Sequence, residues 1–529
     1  MRPIHRHALL SAGLLFGAFG SNANNITTSA GTLSGNTGSH VNVRFSITWE
    51  NSWRIDPDRW DAAWVFVKFR NATTGQWEHA RLGDDVDHSP GTGTPAAVST
   101  GLLTPGTPFD AASNWGVGVF IHRSAPGTGT FSVSDVGLRW NYAQNGVTYT
   151  EISDVRVFAI EMVRIPEGPF FVGSGGSEVG SFTDGAWTGG ATIPFLITSE
   201  NALNIAPSAG SLWGTSTSGL STIGGTGTLS GDFPKGFKSF YAMKHEVTVA
   251  QYADFLNCLT RVQQNTRTLT NLAPGVTVVT NRYVMTNSIQ PIFTIRNGIR
   301  CDQNISATEP ITFYCDLDQD GTGNEANDGQ WIACAQVNWD DIAAYLDWSC
   351  LRPMTELEFE KTCRGPLLPV PDEYAWGTTS ITRATGTANE GTAAESTLLS
   401  GANANHGPPP GSLIGPVRVG VFAKAGSTRE QAGAGYYGVL NLSDNLRELS
   451  ISVGITSNRA FLGTLGNGAL STAGEADVPS WPNIHGAATS GGGRGGDYVN
   501  SPVQACVSAR TSASSIELNR AQFTIRGVR

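Results

Sequence analysis

From residue 41 the chain alternates between apolar and polar positions: Val41, Val43, Phe45, Ile47 and Trp49 are each separated by one polar residue. That is the period of a strand buried on one face. Further strand candidates follow at residues 63–69, 115–122, 131–133, 136–140 and 155–163, with turns rich in Gly, Pro and Asp between them. The spacing predicts an all-β sandwich over residues 24–160, of which 24–39 read as a flexible leader. The last strand meets residues 162–174 without a linker, so tight docking on a second domain, 161–529, is expected.

Beyond residue 240 the period lengthens to that of a helix. Thr248 opens one, with Tyr252, Phe255, Leu256 and Leu259 on one face. Residues 338–365, NWDDIAAYLDWSCLRPMTELEFEKTCRG, predict a pair. Asn338 is the N-cap of the first helix and Ile342, Tyr345 and Leu346 recur along it. Pro353 interrupts, Thr355 and Glu358 form a capping box for the second, and Gly365 ends it. An insert over about 261–330 precedes the pair. The stretches 172–232 and 453–505 are poor in charge and rich in Gly and Ser, and are expected to be long surface loops.

Composition adds limits. The 529 residues suffice for two to four domains, and 64 glycines with 26 prolines favour strands and turns over helix bundles. A net charge of −10 argues against a nucleic-acid partner. Arg2, His5 and Arg6, then an apolar run over 8–19 and Ser21-Asn22-Ala23, predict a signal peptide, residues 1–23. The run is too short for a membrane span, no other segment qualifies, and no cysteine stands at the cleavage region for a lipid anchor. The expected location is secreted, extracellular or cell-surface, with the periplasm as the alternative. Seven cysteines follow, Cys258, Cys301, Cys315, Cys334, Cys350, Cys363 and Cys506. Cys301–Cys315 is the first expected bridge; the alternative is a set of buried free thiols.

The insert contains CDLDQDGTGNEANDG. Asp316, Asp318, Asp320 and Gly321 match positions one, three, five and six of a calcium loop, and Asn324 and Asp328 complete the candidate set. Position twelve is Asn327 where a glutamate is required, and no helix pair flanks the loop. The alternative is a solvated acidic turn. No cysteine–histidine cluster has zinc spacing, no Gly-x-Ser-x-Gly elbow or phosphate loop is present, and His485 reads as a loop residue.

The helix-pair stretch resembles the signature of the formylglycine-generating enzyme (sulfatase-modifying factor) family. Similar blocks recur in order at 162–174, 240–256, 374–377 and 437–449, and from Gly495 to the end. The resemblance implies an α+β, loop-rich, C-type-lectin-like fold behind the all-β sandwich. It implies a structural calcium site at Asn389 and a second at Asn445 and Glu448, built partly from backbone carbonyls. Asp444, Arg447 and Leu449 depart from the family pattern there. The family's oxidase binds copper(I) through two cysteines after the Gly-Gly block. Here Asn500 takes the first place, Cys506 lies near the second and Asp497 follows Gly495-Gly496, so copper is not expected. The reading is an exported, calcium-stabilised, non-catalytic protein for surface binding or assembly. One alternative is a copper- and oxygen-dependent oxidase acting on sulfatase cysteines; another is a subunit of a surface filament or sheath. Trp481, Asp497, Tyr498, Asn500 and Arg510 are the expected ligand surface, for a glycan or a protein partner, with self-assembly as a further option. Residues 50–69 also resemble an amino-terminal module of exported bacterial proteins of this family. Its Trp49, Trp53, Trp60 and Trp64 would line a sugar-binding face or pack as core.

Overall fold

The computed structural model describes residues 25–217, 219–407, 415–482, 491–514 and 520–529; the expected signal peptide and His485 lie outside these. The first half is framed by β1 (Val41–Ile55), β2 (Arg59–Asn71), β3 (Trp77–His79), β4 (Ala96–Leu102), β5 (Gly116–Arg123), β6 (Gly127–Trp140) and β7 (Ile152–Ile165). Short strands at Thr27–Thr28 and Thr32–Ser34 pair with β1, so the expected flexible leader is held on the sheet. β1 pairs with β6; β2 pairs with β7 along its length and with β5 and β3 on its other edge. β1 and β2 touch only beside their turn, at Arg54–Trp60 and Ile55–Arg59. Two strand layers therefore meet at one corner, and Val43, Phe45, Val65, Val67, Phe131 and Leu138 close the core between them. The two candidates at 131–133 and 136–140 are one strand. Their apolar phase slips by one residue because Ser134–Asp135 bulges opposite Ser46, with Asp135 at φ 57°.

Both faces of β2 are buried, and this decides how the halves meet. Ala63, Val65, Val67 and Phe69 point into the strand layers, while Ala62, Trp64 and Phe66 join a second core with the helices. The second half contributes β8 (Phe240–Met243), α1 (Val249–Leu256), α2 (Arg261–Arg267), β9 (Ile299–Arg300), β10 (Tyr314–Cys315) and α3 (Trp339–Trp348). After these come β11 (Arg352–Pro353), α4 (Glu356–Arg364), β12 (Arg447–Ile451), β13 (Gly491–Arg494), β14 (Phe523–Thr524) and β15 (Gly527–Val528). β7 pairs with β8, β8 with β15 and β15 with β11, so one hydrogen-bonded sheet crosses from the first half into the second. The expected boundary at residue 160 falls inside β7. Among the described residues no helix is long and apolar enough to cross a membrane.

The helix pair forms as its caps dictate. Asn338 accepts from the Asp341 amide and Asp341 returns to the Asn338 amide; Thr355 and Glu358 do the same for α4. The C-terminal carbonyls of α3 are capped from far away. Lys68 Nζ donates to Trp348 O at 2.8 Å, Trp64 Nε1 to Ser349 O at 2.8 Å and Arg529 Nη1 to Cys350 O at 2.5 Å. Three consecutive carbonyls that a helix end leaves without partners are thus satisfied by β2 and the final residue.

Two further expectations need correction, and for the tryptophans the core alternative holds. Residues 172–232 are not surface loops: short strands carry Phe182, Phe195, Ile205 and Leu212 into the main core. Val179, Ile193, Leu196 and Leu220 stay exposed there, but Phe182, Phe195, Ile205 and Leu212 and their neighbours Ile197, Trp213 and Leu229 are buried. Cys301 and Cys315 are not bridged; all seven cysteines are buried free thiols. Cys315 stands opposite Ile299, which leaves Cys301 diagonal to it across the pair, where Cα separations of about 7–8 Å exceed disulfide reach. The tryptophans of 50–69 line no open face. Trp49 and Trp64 are buried, Trp53 packs on a core cluster, and Trp60 lies between the Arg54 and Arg164 guanidiniums, each 4.7 Å from its ring centre.

Candidate functional site

β9 and β10 hold the acidic loop at its base. The clasp is Asn324: its amide donates to Cys315 O and its side-chain oxygen accepts from Cys315 N, at 2.8 and 3.0 Å. That use ties Asn324 into the turn and takes it away from the ligand role expected of it. Inside the turn, carboxylate oxygens of Asp316, Asp318 and Asp328 lie within 4.8 Å of one another, as do those of Asp318, Asp320 and Glu325. Oxygens shared by one calcium at ~2.4 Å fall within about 5 Å of each other, so each group has the right span. Asp318 belongs to both.

The two lobes differ in environment. Asp316 and Asp328 are fully buried, and Oδ1 of each has no hydrogen-bond partner among the described residues. Burial pushes Asp328 up to about 6. Arg300, itself buried, is ion-paired with Asp316 and stacks over Tyr314, which places one fixed cation in the buried lobe. The outer lobe is exposed; Glu325 is raised by its hydrogen bond to Asp320, while the Thr322 amide lowers Asp320. Hard oxygen donors, buried acid and an open mouth fit a divalent cation. The pattern search missed Glu325, at position ten of the loop, because it was anchored on position twelve; it missed Arg300 because the partner is remote in sequence.

Asn389 is exposed in a turn that leans on this loop: the Gly329 amide donates to Gly391 O at 2.9 Å. Asn445 and Glu448 are placed otherwise. The Asn445 oxygen accepts from Val417 N and Asn405 Nδ2, and its amide donates to Glu246 Oε2 at 2.7 Å. Glu448 Oε1 accepts from Arg526 Nε at 2.9 Å. The rest of that guanidinium donates to the carbonyls of Met243, Leu440 and Asn441. A carboxylate and three backbone carbonyls thus surround a covalently attached cation where resemblance implied a free one. Burial still holds Glu448 and Asp444 up at about 7 each, and raises Glu246 well above the usual carboxylate range.

The helix-pair signature is spent on a buried charge network. Arg494 bridges Glu356 Oε1 at 3.1 Å and Glu360 Oε1 at 2.8 Å; Arg510 holds both oxygens of Glu356; Arg364 reaches Glu360 and Glu373. Ser508 also donates to Glu360. α4 is thereby cross-linked to the C-terminal segment. Residues 231–520, more than half of the chain, match the family described as sulfatase-modifying factor enzyme 1-like domains. The chain belongs to the sulfatase-modifying factor family. No curated protein matches it.

In this family member the segment after Gly495-Gly496 does not supply a thiolate pair. Asn500 is half-buried, with its amide turned onto Asp497. Cys506 is buried and donates to Asp372 O at 3.4 Å; burial pushes its thiol up to about 12, and Glu178 and Asp372 add to the rise. A protonated thiol beside carboxylates is the reverse of what copper(I) needs, so the residues do not fit that metal. The expected ligand surface is corrected as well. Trp481 packs in the main core with Nε1 on Thr464 O. Asp497 is paired with Arg447, Tyr498 is buried against Ile295 and Leu446, and Arg510 is fully buried on Glu356. Polar and aromatic types in a Gly-rich stretch read as a ligand surface until their partners are known; here those partners are internal.

Proposed function

We propose that this sulfatase-modifying factor family member is an exported, calcium-stabilised, non-catalytic protein that serves in binding or assembly at a cell surface, and that its second half follows the family's C-type-lectin-like plan. One observation carries the non-catalytic reading. The segment in which the family's oxidase would hold two thiolates has Cys506 alone, buried and with its thiol pushed up by that burial, with Asn500 in the other place. Calcium is supported by the acidic loop, where the buried oxygens of Asp316 and Asp328 converge with Asp318.

The test is direct. Purified protein incubated with copper(I), oxygen and a Cys-x-Pro-x-Arg peptide is expected to leave the peptide cysteine unmodified by mass spectrometry. Formylglycine formation that disappears in Cys506→Ser would overturn the reading and restore the oxidase.

A further inference from the structure

We infer that the seam between the strand layers and the helices is a binding trough for a neutral polysaccharide. Two adjoining hollows, of 680 Å³ and 530 Å³, run along it and share Gln76, Trp77, Leu259 and Thr260. β3 forms one bank, and the junction from α1 to α2 forms the other. Two hollows side by side, sharing four lining residues, suit a chain more than a compact small molecule.

Its charges are arranged unlike those of the buried networks. In the second half, acids and bases are matched at 2.5–3.2 Å, as with Arg296–Glu395 and Arg352–Glu358. In the trough, Arg70, Arg81 and Arg156 stand beside Glu78, Asp154 and Glu309. Among the described residues none of these six is in an ion pair. Two of the guanidiniums lie on indoles: Arg81 is 3.8 Å from the Trp115 ring centre and Arg156 is 4.4 Å from that of Trp77. Stacking fixes the plane of a guanidinium and leaves N–H groups at its edge.

Donors and acceptors held apart along one channel match a partner that is both donor and acceptor at every position. A sugar hydroxyl has that property. The side-chain amide of Gln76 extends the same mixture, and Trp77, half-buried with Arg156 on its ring, lines both hollows and offers them its remaining apolar surface. A polyanion would meet the three carboxylates and a polycation the four guanidiniums, Arg261 being the fourth. A neutral polymer meets neither penalty.

This deepens the binding reading by naming a ligand class, and the two fail separately: peptide oxidation would sink the non-catalytic reading without touching the trough. The experiment is native-gel affinity electrophoresis of the full chain in dextran, laminarin, galactomannan or xylan, with polygalacturonate and polylysine as charged controls. Retardation by at least one neutral polymer is expected, undiminished in molar sodium chloride. Trp77→Ala should weaken it about tenfold, the scale of one lost aromatic contact, and the exposed change Asp154→Asn should weaken it with the melting temperature unchanged. Should Trp77→Ala unfold, Asp154→Asn and Arg156→Gln decide. No retardation by any neutral polymer overturns the inference. So does binding confined to the charged controls and lost in salt, or neutral-polymer binding that survives in the folded variants.

Discussion

At the scale of single residues, the main surprise is how many charges are structural. Arg364, Arg494, Arg510 and Arg526 are among the largest fully buried side chains. Each guanidinium presents a planar fork to carboxylates that α4 and β12 hold in place. Removing one member leaves its buried partners short of a counter-charge, which is more damaging than losing a surface pair. Arg494→Met should therefore destabilise the protein by roughly 3–5 kcal/mol in urea unfolding, because Glu356 and Glu360 both lose a partner. A change below about 1 kcal/mol would mean the network is not holding the segment. These roles were not legible in the sequence. Residue types were correct for a polar surface, and nothing local to Asp497 or Arg510 announces that Arg447 or Glu356 waits for it.

At the scale of elements, what is local was readable and what is remote was not. The capping boxes of α3 and α4 lie within four residues, so the helix pair was fixed by its own letters. The strands of the first half followed their period of two. The Gly-rich stretch 172–232 was misread because its strands pair across turns whose register no nearby pattern sets. The acidic loop lies between these cases: its spacing was visible, and its buried lobe was not. Calcium is expected to raise the melting temperature, by the equivalent of about 2.7 kcal/mol at 100 times its dissociation constant. Asp318→Ala should abolish that shift, since Asp318 serves both lobes. Glu448→Ala should lower stability yet leave the calcium shift intact, because Glu448 is engaged with Arg526. An unchanged shift in Asp318→Ala would place the ion elsewhere.

At the scale of the whole molecule, β2 makes the two halves one cooperative body. Its inner face completes the strand layers, its outer face completes the helical core, and Lys68 also reaches Gly468 O at 2.6 Å. Calorimetry should give one unfolding transition, and a chain beginning at residue 166 should fail to give a soluble monomer by gel filtration, since the carbonyls of Trp348 and Ser349 would lose their donors. Two separated transitions would contradict this. The arrangement also sets an order of events. The bond from Arg529 Nη2 to Leu102 O spans 427 positions. At roughly 5–20 residues per second, the outer face of β2 therefore waits on the order of tens of seconds after synthesis for the groups that cover it. Trp64 and Phe66 are presented to any chaperone before they are presented to their own chain.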